Sequence, residues 1–255
     1  MNTYSNRNKH LHASGYGRLH DYRVEHKIVS GADHSADNRL STALPRWHQQ
    51  VQYALGHTLN DFYSLQPDVR RETPIQFLLE RRWPHKGNSF TSLLHYWDIK
   101  TSITDELMRM ASVNHLQDIP IMLYEQWSIA VPELNMELSM IFQLVWKSQT
   151  DKNGLIIQKY VVTADEELIT GFLHMTNVFC QKAFGVSPEK VEIYSLLDGK
   201  KHSYDGSIIP LAESLDYVRL LSVYMEKEEA GECSASCGCR RSEKNEEVLG
   251  KIGFM

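Results

Sequence analysis

Cysteine is scarce in this chain, and where it occurs it is badly placed for cross-linking. Four of the 255 residues are Cys; three crowd into CSASCGC near the C-terminus, and Cys180 lies in a helical pattern. That excludes a disulfide framework for a chain of this length. No apolar run approaches the roughly 20 residues a membrane helix needs. The opening stretch MNTYSNRNKHLHASGYG has no hydrophobic segment of the kind a secretory signal requires. A cytoplasmic protein with no membrane contact is expected. A strong charge of one sign is also missing: the formal net charge is -5, so charge alone does not mark a nucleic-acid binder. The balance is uneven. Residues 1–120 hold 14 basic against 12 acidic side chains and residues 121–225 hold 8 against 13, so any basic surface should lie in the N-terminal half. Also absent are a Gly-rich phosphate loop, a Ser nucleophile elbow and a His-Glu-x-x-His helix.

What is present is an ordinary globular composition, 42% hydrophobic and 23% charged. The length suits one core with a helical subdomain. Residues 1–44 are polar and carry five of the twelve His between His10 and His34. Their spacings match no metal motif, and a flexible arm is expected, with RLHDYRVEHKIV as a short helix or strand within it. Residues 45–229 should form one domain. Its part 45–115 reads as three helices. PRWHQQVQYALGHTLNDFYSLQ spaces Trp47, Val51, Ala54, Leu55, Leu59, Phe62 and Tyr63 by three or four, and Gly56 inside it needs a close contact to offset its cost. ETPIQFLLERRW follows, with Thr73 as N-cap and Pro74 at the first helical position. SFTSLLHYWDIKTSITDELMRMAS places Phe90, Leu93, Leu94, Trp97, Leu107, Met108 and Ala111 on its buried side.

In the part 119–229 the period changes to two. IPIMLYEQWSIAVP and MELSMIFQLVWKS read as half-buried strands, the second with Leu138, Met140, Phe142, Leu144 and Trp146 on one face. Asn153-Gly154 marks a hairpin into LIIQKYVV. A helix follows, with a Thr163/Glu166 capping box and Gly185 as its C-cap. A strand, KVEIYSLLDGK, and a final helix, LAESLDYVRLLSVYMEKE, complete the domain. Residues 230–255 read as a disordered tail. The expected fold is α/β: a mixed sheet with a β-meander and a helical crossover, preceded by a helical segment.

This order resembles the PD-(D/E)XK nucleases, and within them the RecB-type branch, over roughly residues 45–225. HTLNDFYSL is similar to that branch's first helix. ITGFLHMTNVFCQKAFGVSPEKVEIYSLLDGKK is similar to the helix–strand–turn unit after its active site. The resemblance implies a restriction-endonuclease-like fold and a metal site built from strand carboxylates and a Lys. Gln143 stands where one Asp belongs. The Asp-Tyr-Lys strand reads Gln158-Lys159-Tyr160, and the family's upstream His falls near Gly56 or His57. A neutral amide brings no charge to offset dehydration of Mg²⁺. The resemblance therefore implies a degenerate site, with Gln143 and Gln158 facing each other across the hairpin and Lys159 pointing to the opposite face. Glu125 is the candidate surviving acid, Glu137 a second. Other α/β arrangements share this strand and helix order.

Two further clusters stand out. Arg70, Arg71, Arg81, Arg82 and Lys86, near Trp83 and His85, are candidates to touch phosphates and stack on bases; the alternative is a solvated helix face. Cys233, Cys237 and Cys239, with His202, are candidate ligands for zinc or copper(I), against a tail of incidental thiols. The function expected is a catalytically inactive, nuclease-like binding or scaffolding protein associated with DNA processing, with a protein partner, nucleic acid as a second candidate partner, and no cofactor unless the Cys tail holds zinc or copper. The rivals are a nuclease with a relocated carboxylate and a metal- or redox-responsive protein acting through the Cys tail.

Overall fold

The computed structural model describes residues 17–25, 45–113, 118–149 and 154–236. A short strand β1 (Gly17–His20) runs directly into a helical turn α1 (residues 21–25). Both belong to the domain: Leu19 and Val24 are buried in its core. This corrects the expectation of an arm for these residues; the rest of 1–44 lies outside the described residues. The helical segment follows as α2 (Arg46–Ser64), α3 (Pro67–Glu72), α4 (Ile75–Arg82) and α5 (Leu93–Val113). The meander is β2 (Met122–Val131), β3 (Met136–Lys147) and β4 (Leu155–Val161); then come α6 (Glu166–Phe184), β5 (Lys190–Ser195), β6 (Lys200–Asp205) and α7 (Leu211–Ser236). Among the described residues no helix is long and apolar enough to cross a membrane.

The six strands form one mixed sheet. β2 and β4 run antiparallel to β3, β4 and β5 are parallel across the α6 crossover, and β6 closes the far edge. One face packs on α6 and α7 through Phe142, Ile157, Val161, Ile193, Phe172 and Val218; the other packs on α2, α4 and α5 through Leu144, Trp146, Tyr160, Leu55, Leu79 and Ile103. The chain is thus α/β with helices on both sides of a sheet.

Local signals explain most boundaries. Gly185 takes the left-handed conformation at the end of α6 (φ 74°), as a helix-ending Gly should. At the start of α6 the cap is Asp165, whose carboxylate accepts from Leu168 N at 2.7 Å, and not Thr163, whose hydroxyl meets His48. Thr73 likewise does not cap α4; its hydroxyl donates back to Val69 O, and Pro74 occupies the cap position. On α5 the apolar pattern misassigns the face: Leu93, Leu94, Trp97 and Met108 are exposed, while Tyr96, Ile99, Ile103 and Met110 join Phe90, Leu107 and Ala111 in the core. α7 continues to Ser236, past the end expected near Glu229.

Gln158 does not face Gln143. It pairs with Leu144 and lies in a buried polar network on the α2–α5 side. Its Oε1 accepts from Trp146 Nε1 (2.8 Å) and Tyr160 OH (3.2 Å), and its Nε2 donates to Glu192 Oε2 (2.8 Å). Glu192 also accepts from Tyr194 OH (3.0 Å) and pairs with Lys201 (2.8 Å), and the Tyr160 and Tyr194 rings stack 4.6 Å apart. Burial works against the Glu192 charge. The Lys201 pair and the Gln158 and Tyr194 donors outweigh it and hold the carboxyl below its ordinary value of 4.5. A depressed carboxyl stabilises the fold above the unfolded value and loses that contribution as pH falls through the native one. Glu192→Gln should therefore be destabilised at pH 7, and its deficit against wild type should shrink as pH drops below about 4.5. Urea midpoints of both proteins across that range check this; a constant deficit would contradict it.

Candidate functional site

The sheet is interrupted in its middle, and the interruption opens a cavity. β2 covers one edge of β3 from Met136 to Val145. The other edge of β3 is shared end to end: β1 pairs with residues 136–139 and β4 with 144–147. Among the described residues no strand lies beside residues 140–143 of that edge. Here the pleat also inverts, since Met140 and Phe142 face the α6–α7 core while Leu144 and Trp146 face the opposite one. The single-face alternation expected for β3 is therefore wrong. Opposite Gln143 on β2, Tyr124 adopts a left-handed backbone (φ 49°), an unfavourable state for a bulky residue. Its ring lies against Gly56 of α2, where an added Cβ would sit 3.1 Å from the Tyr124 hydroxyl. That contact is what the helix gains for its Gly.

Backbone groups exposed by the break must find partners, and side chains supply them. Asp21 Oδ1 accepts from Ile141 N (3.2 Å) and from Tyr22 N (2.9 Å). Gln143 reaches across to β4: its Oε1 accepts from Tyr160 N (2.6 Å) and its Nε2 donates to Tyr160 O (3.2 Å). Gln52 of α2 completes the bridge, donating to Tyr160 O (3.0 Å) and accepting from Val162 N (2.9 Å).

Lys159 sits on the same side of this break, next to Gln143. Its Nζ is 2.8 Å from Glu25 Oε2 and 3.6 Å from Asp21 Oδ2, and lies over the Phe172 ring. Lys159 and Asp21 are each 4% exposed. Burial opposes the Lys159 charge, but the two carboxylates outweigh it and raise its pKa. Burial pushes the Asp21 carboxyl up, against the pull of Lys159 and the two backbone donors. His48 donates or accepts at Thr163 Oγ1 (3.2 Å) through Nε2, and burial lowers its pKa, so the ring is neutral near pH 7.

Together these residues wall a cavity of about 570 Å³. α1 contributes Asp21, Tyr22 and Glu25; α2 contributes a ridge spaced by four, His48, Gln52, Gly56 and Asn60, with Gln49, Tyr53 and His57 beside it; Tyr124, Ile141, Gln143 and Lys159 come from the sheet. Among the described residues three polar atoms of its lining side chains are sealed from solvent and make no hydrogen bond: Asp21 Oδ2, which faces Lys159 Nζ at 3.6 Å, His48 Nδ1 and Tyr124 OH.

Of the residues singled out from sequence, Gln143, Lys159, Gly56 and His57 meet here. Glu125 does not; it is exposed and accepts from Trp127 Nε1 (2.9 Å). Glu137 pairs with Arg18 (3.3 Å). Asp21, Glu25, His48 and Gln52 were missed. Their signals were the four-residue spacing of Asp21 and Glu25 and of the second, polar stripe of α2. The residues present do not fit the Mg²⁺ that the resemblance implies. Gln143 is committed to the backbone, Gln158 is on the other face, and among the described residues no three His, Cys, Asp or Glu side chains gather as ligands.

The basic cluster disperses. Arg70 is 1% exposed and donates to Tyr63 O, Leu65 O and Asp118 O at 2.7–3.0 Å, so it ties the α2–α3 turn down and cannot meet a phosphate. Arg71 pairs with Asp68 and Arg82 with Asp61; Arg81 and Lys86 are exposed. Cys237, Cys239 and the side chain of Cys233 lie outside the described residues. Cys180 is buried, and burial pushes its thiol up to about 12.

Comparison with protein-family models, curated proteins and solved structures finds no match.

Gln143→Leu should leave the Tyr160 N–H buried without an acceptor and cost about 2 kcal/mol of stability. Chemical denaturation measures it; a change under about 0.5 kcal/mol, the usual range for a neutral surface substitution, would contradict the bridging role.

Proposed function

We propose that the protein is a non-catalytic binding module that holds a small polar ligand in the cavity between α1, α2 and the opened sheet. In this reading it is a degenerate relative of the PD-(D/E)XK nucleases with a restriction-endonuclease-like arrangement. The order of elements supports that relationship: helices, meander, crossover helix, strand pair. The observation that carries the reading is the commitment of Gln143. Turning its amide towards a metal would orphan Tyr160, and no charge would be gained in exchange. The neighbouring cation, Lys159, is held by Asp21 and Glu25 rather than left to orient a water. A cavity of this size with a few convergent polar groups suits a small molecule.

The rival reading, a nuclease with relocated acids, gains better candidates in Asp21 and Glu25 than in Glu125 or Glu137, because both stand at Lys159. A scaffolding role beside nucleic acid would use surface such as Arg81 and Lys86, away from the cavity lining.

Purified protein incubated with labelled single- and double-stranded DNA and Mg²⁺, Mn²⁺ or EDTA should cleave neither substrate. Metal-dependent cleavage that disappears in Asp21→Asn would overturn the proposal and establish the rival.

A further inference from the structure

We propose that β2 is the contact strand of a two-fold homodimer, in which Glu125–Val131 pair antiparallel with the same residues of a second copy, centred on Ser128.

The first argument is the contrast between the free edges of the sheet. β6 is exposed but charged, with Lys200, Lys201 and Asp205 along it, and such charges discourage a further strand from pairing. β1 has α7 beside it: Ser222 and Met225 line one pocket with Gly17 and Leu19. β2 has neither device. It is ten residues long, holds a single charged residue, Glu125, and contains no Lys and no Pro. Among the described residues no backbone hydrogen bond from β2 leads anywhere but to β3. Glu125, Gln126, Ser128 and Ala130 are exposed, and Trp127 is 40% exposed. A long, nearly uncharged edge of this kind is a template for one more strand.

The second argument is register, and it chooses the occupant. The left-handed Tyr124 ends the regular part of β2 on one side and Pro132 ends it on the other. Glu125–Val131 remain. Paired with itself about Ser128, this stretch sets Glu125 against Val131, Gln126 against Ala130 and Trp127 against Ile129. The carboxylate of each copy, which already accepts from Trp127 Nε1, then meets an apolar residue and not its own counterpart. Trp127 and Ile129 stand on one face of the strand, beside Met140 and Leu138 of β3, so each copy's Trp meets the other's Ile in an aromatic–β-branched pair. The edge therefore fits itself with no like charges opposed, whereas a foreign strand would find almost no charge here to select its sequence.

The third argument is closure. A two-fold contact consumes β2 of both copies. The strands left at the ends of the joined sheet are the two charged β6 edges, so assembly stops at two.

The test is the mass of the full chain in solution, by light scattering and sedimentation velocity across the micromolar range with no ligand added. Wild type should run at twice the monomer mass. Ser128 faces its own copy across the axis, so Ser128→Lys and Ser128→Asp each bring like charges together and should each weaken the dimer about tenfold or more. Mixed in equal amounts, the two variants should associate again. Leu220→Lys, on the exposed face of α7, should leave the dimer unchanged. Circular dichroism checks the folding of every variant. Should the Ser128 variants misfold, hydrogen exchange of the wild type decides: the amides of residues 125–131 should lose protection on dilution. The proposal is overturned if wild type stays monomeric throughout, if a dimer survives both Ser128 substitutions, if the mixed variants stay apart, if Leu220→Lys alone dissociates the dimer, or if protection at 125–131 ignores dilution. With no ligand in the experiment, the cavity reading stands or falls separately.

Discussion

Beyond Leu144 and Gln158 the β3–β4 ladder stops, and amide side chains make the hydrogen bonds that the strands no longer share. Buried backbone groups must be paired, so a sheet can open in its interior only where side chains of the right length stand ready. Gln143 spans the opening from one strand and Gln52 from the overlying helix. Asp21 performs the same service for Ile141, on the stretch of β3 that neither β1 nor β4 covers. The left-handed Tyr124, the small residue at Gly56 and the inversion of the β3 pleat all lie at this level of the sheet. They are the local adjustments through which the opening is accommodated.

The opening brings buried charge with it. Lys159 would be costly alone in this setting, and so would Asp21; each is tolerable because the other, with Glu25, is present. Removing one member leaves the others uncompensated, so the three act as a unit that joins the N-terminal turn to the central strand. Such a unit adds little net stability over a well-packed apolar core. Its consequence is structural: it holds the α1 wall of the cavity against the opened sheet. On the far face the Gln158–Glu192–Tyr194 network contrasts with it: its groups bond mainly to one another and line none of the cavity.

The α/β class, the antiparallel meander, the parallel crossover and the buried stripe of α2 were legible because each is written as a period. Val51, Leu55, Leu59 and Phe62 recur at helical spacing with polar residues between them. α5 misled because its first turns are apolar all round: Leu93, Leu94, Tyr96, Trp97 and Ile99 offer no single stripe, and packing chose Tyr96 and Ile99. β6, KKHSYD, was missed because an exposed edge strand needs no apolar alternation. The site was half legible. Gln143 and Lys159 drew notice as departures from an expected acid pattern, but their geometry depends on the break, which reverses the parity that a regular strand would have. Asp21 and Glu25 sit in a polar stretch, and only the long-range pairing of β1 with β3 carries them to Lys159.

The most direct test of the opened sheet as the binding site is amide chemical-shift mapping during titration with a library of small polar molecules. Shifts should concentrate at residues 21–25, at 48–60 and around Tyr124, Gln143 and Lys159. Perturbations confined to the exposed surface around Arg81 and Lys86, or the absence of any at the break, would contradict it.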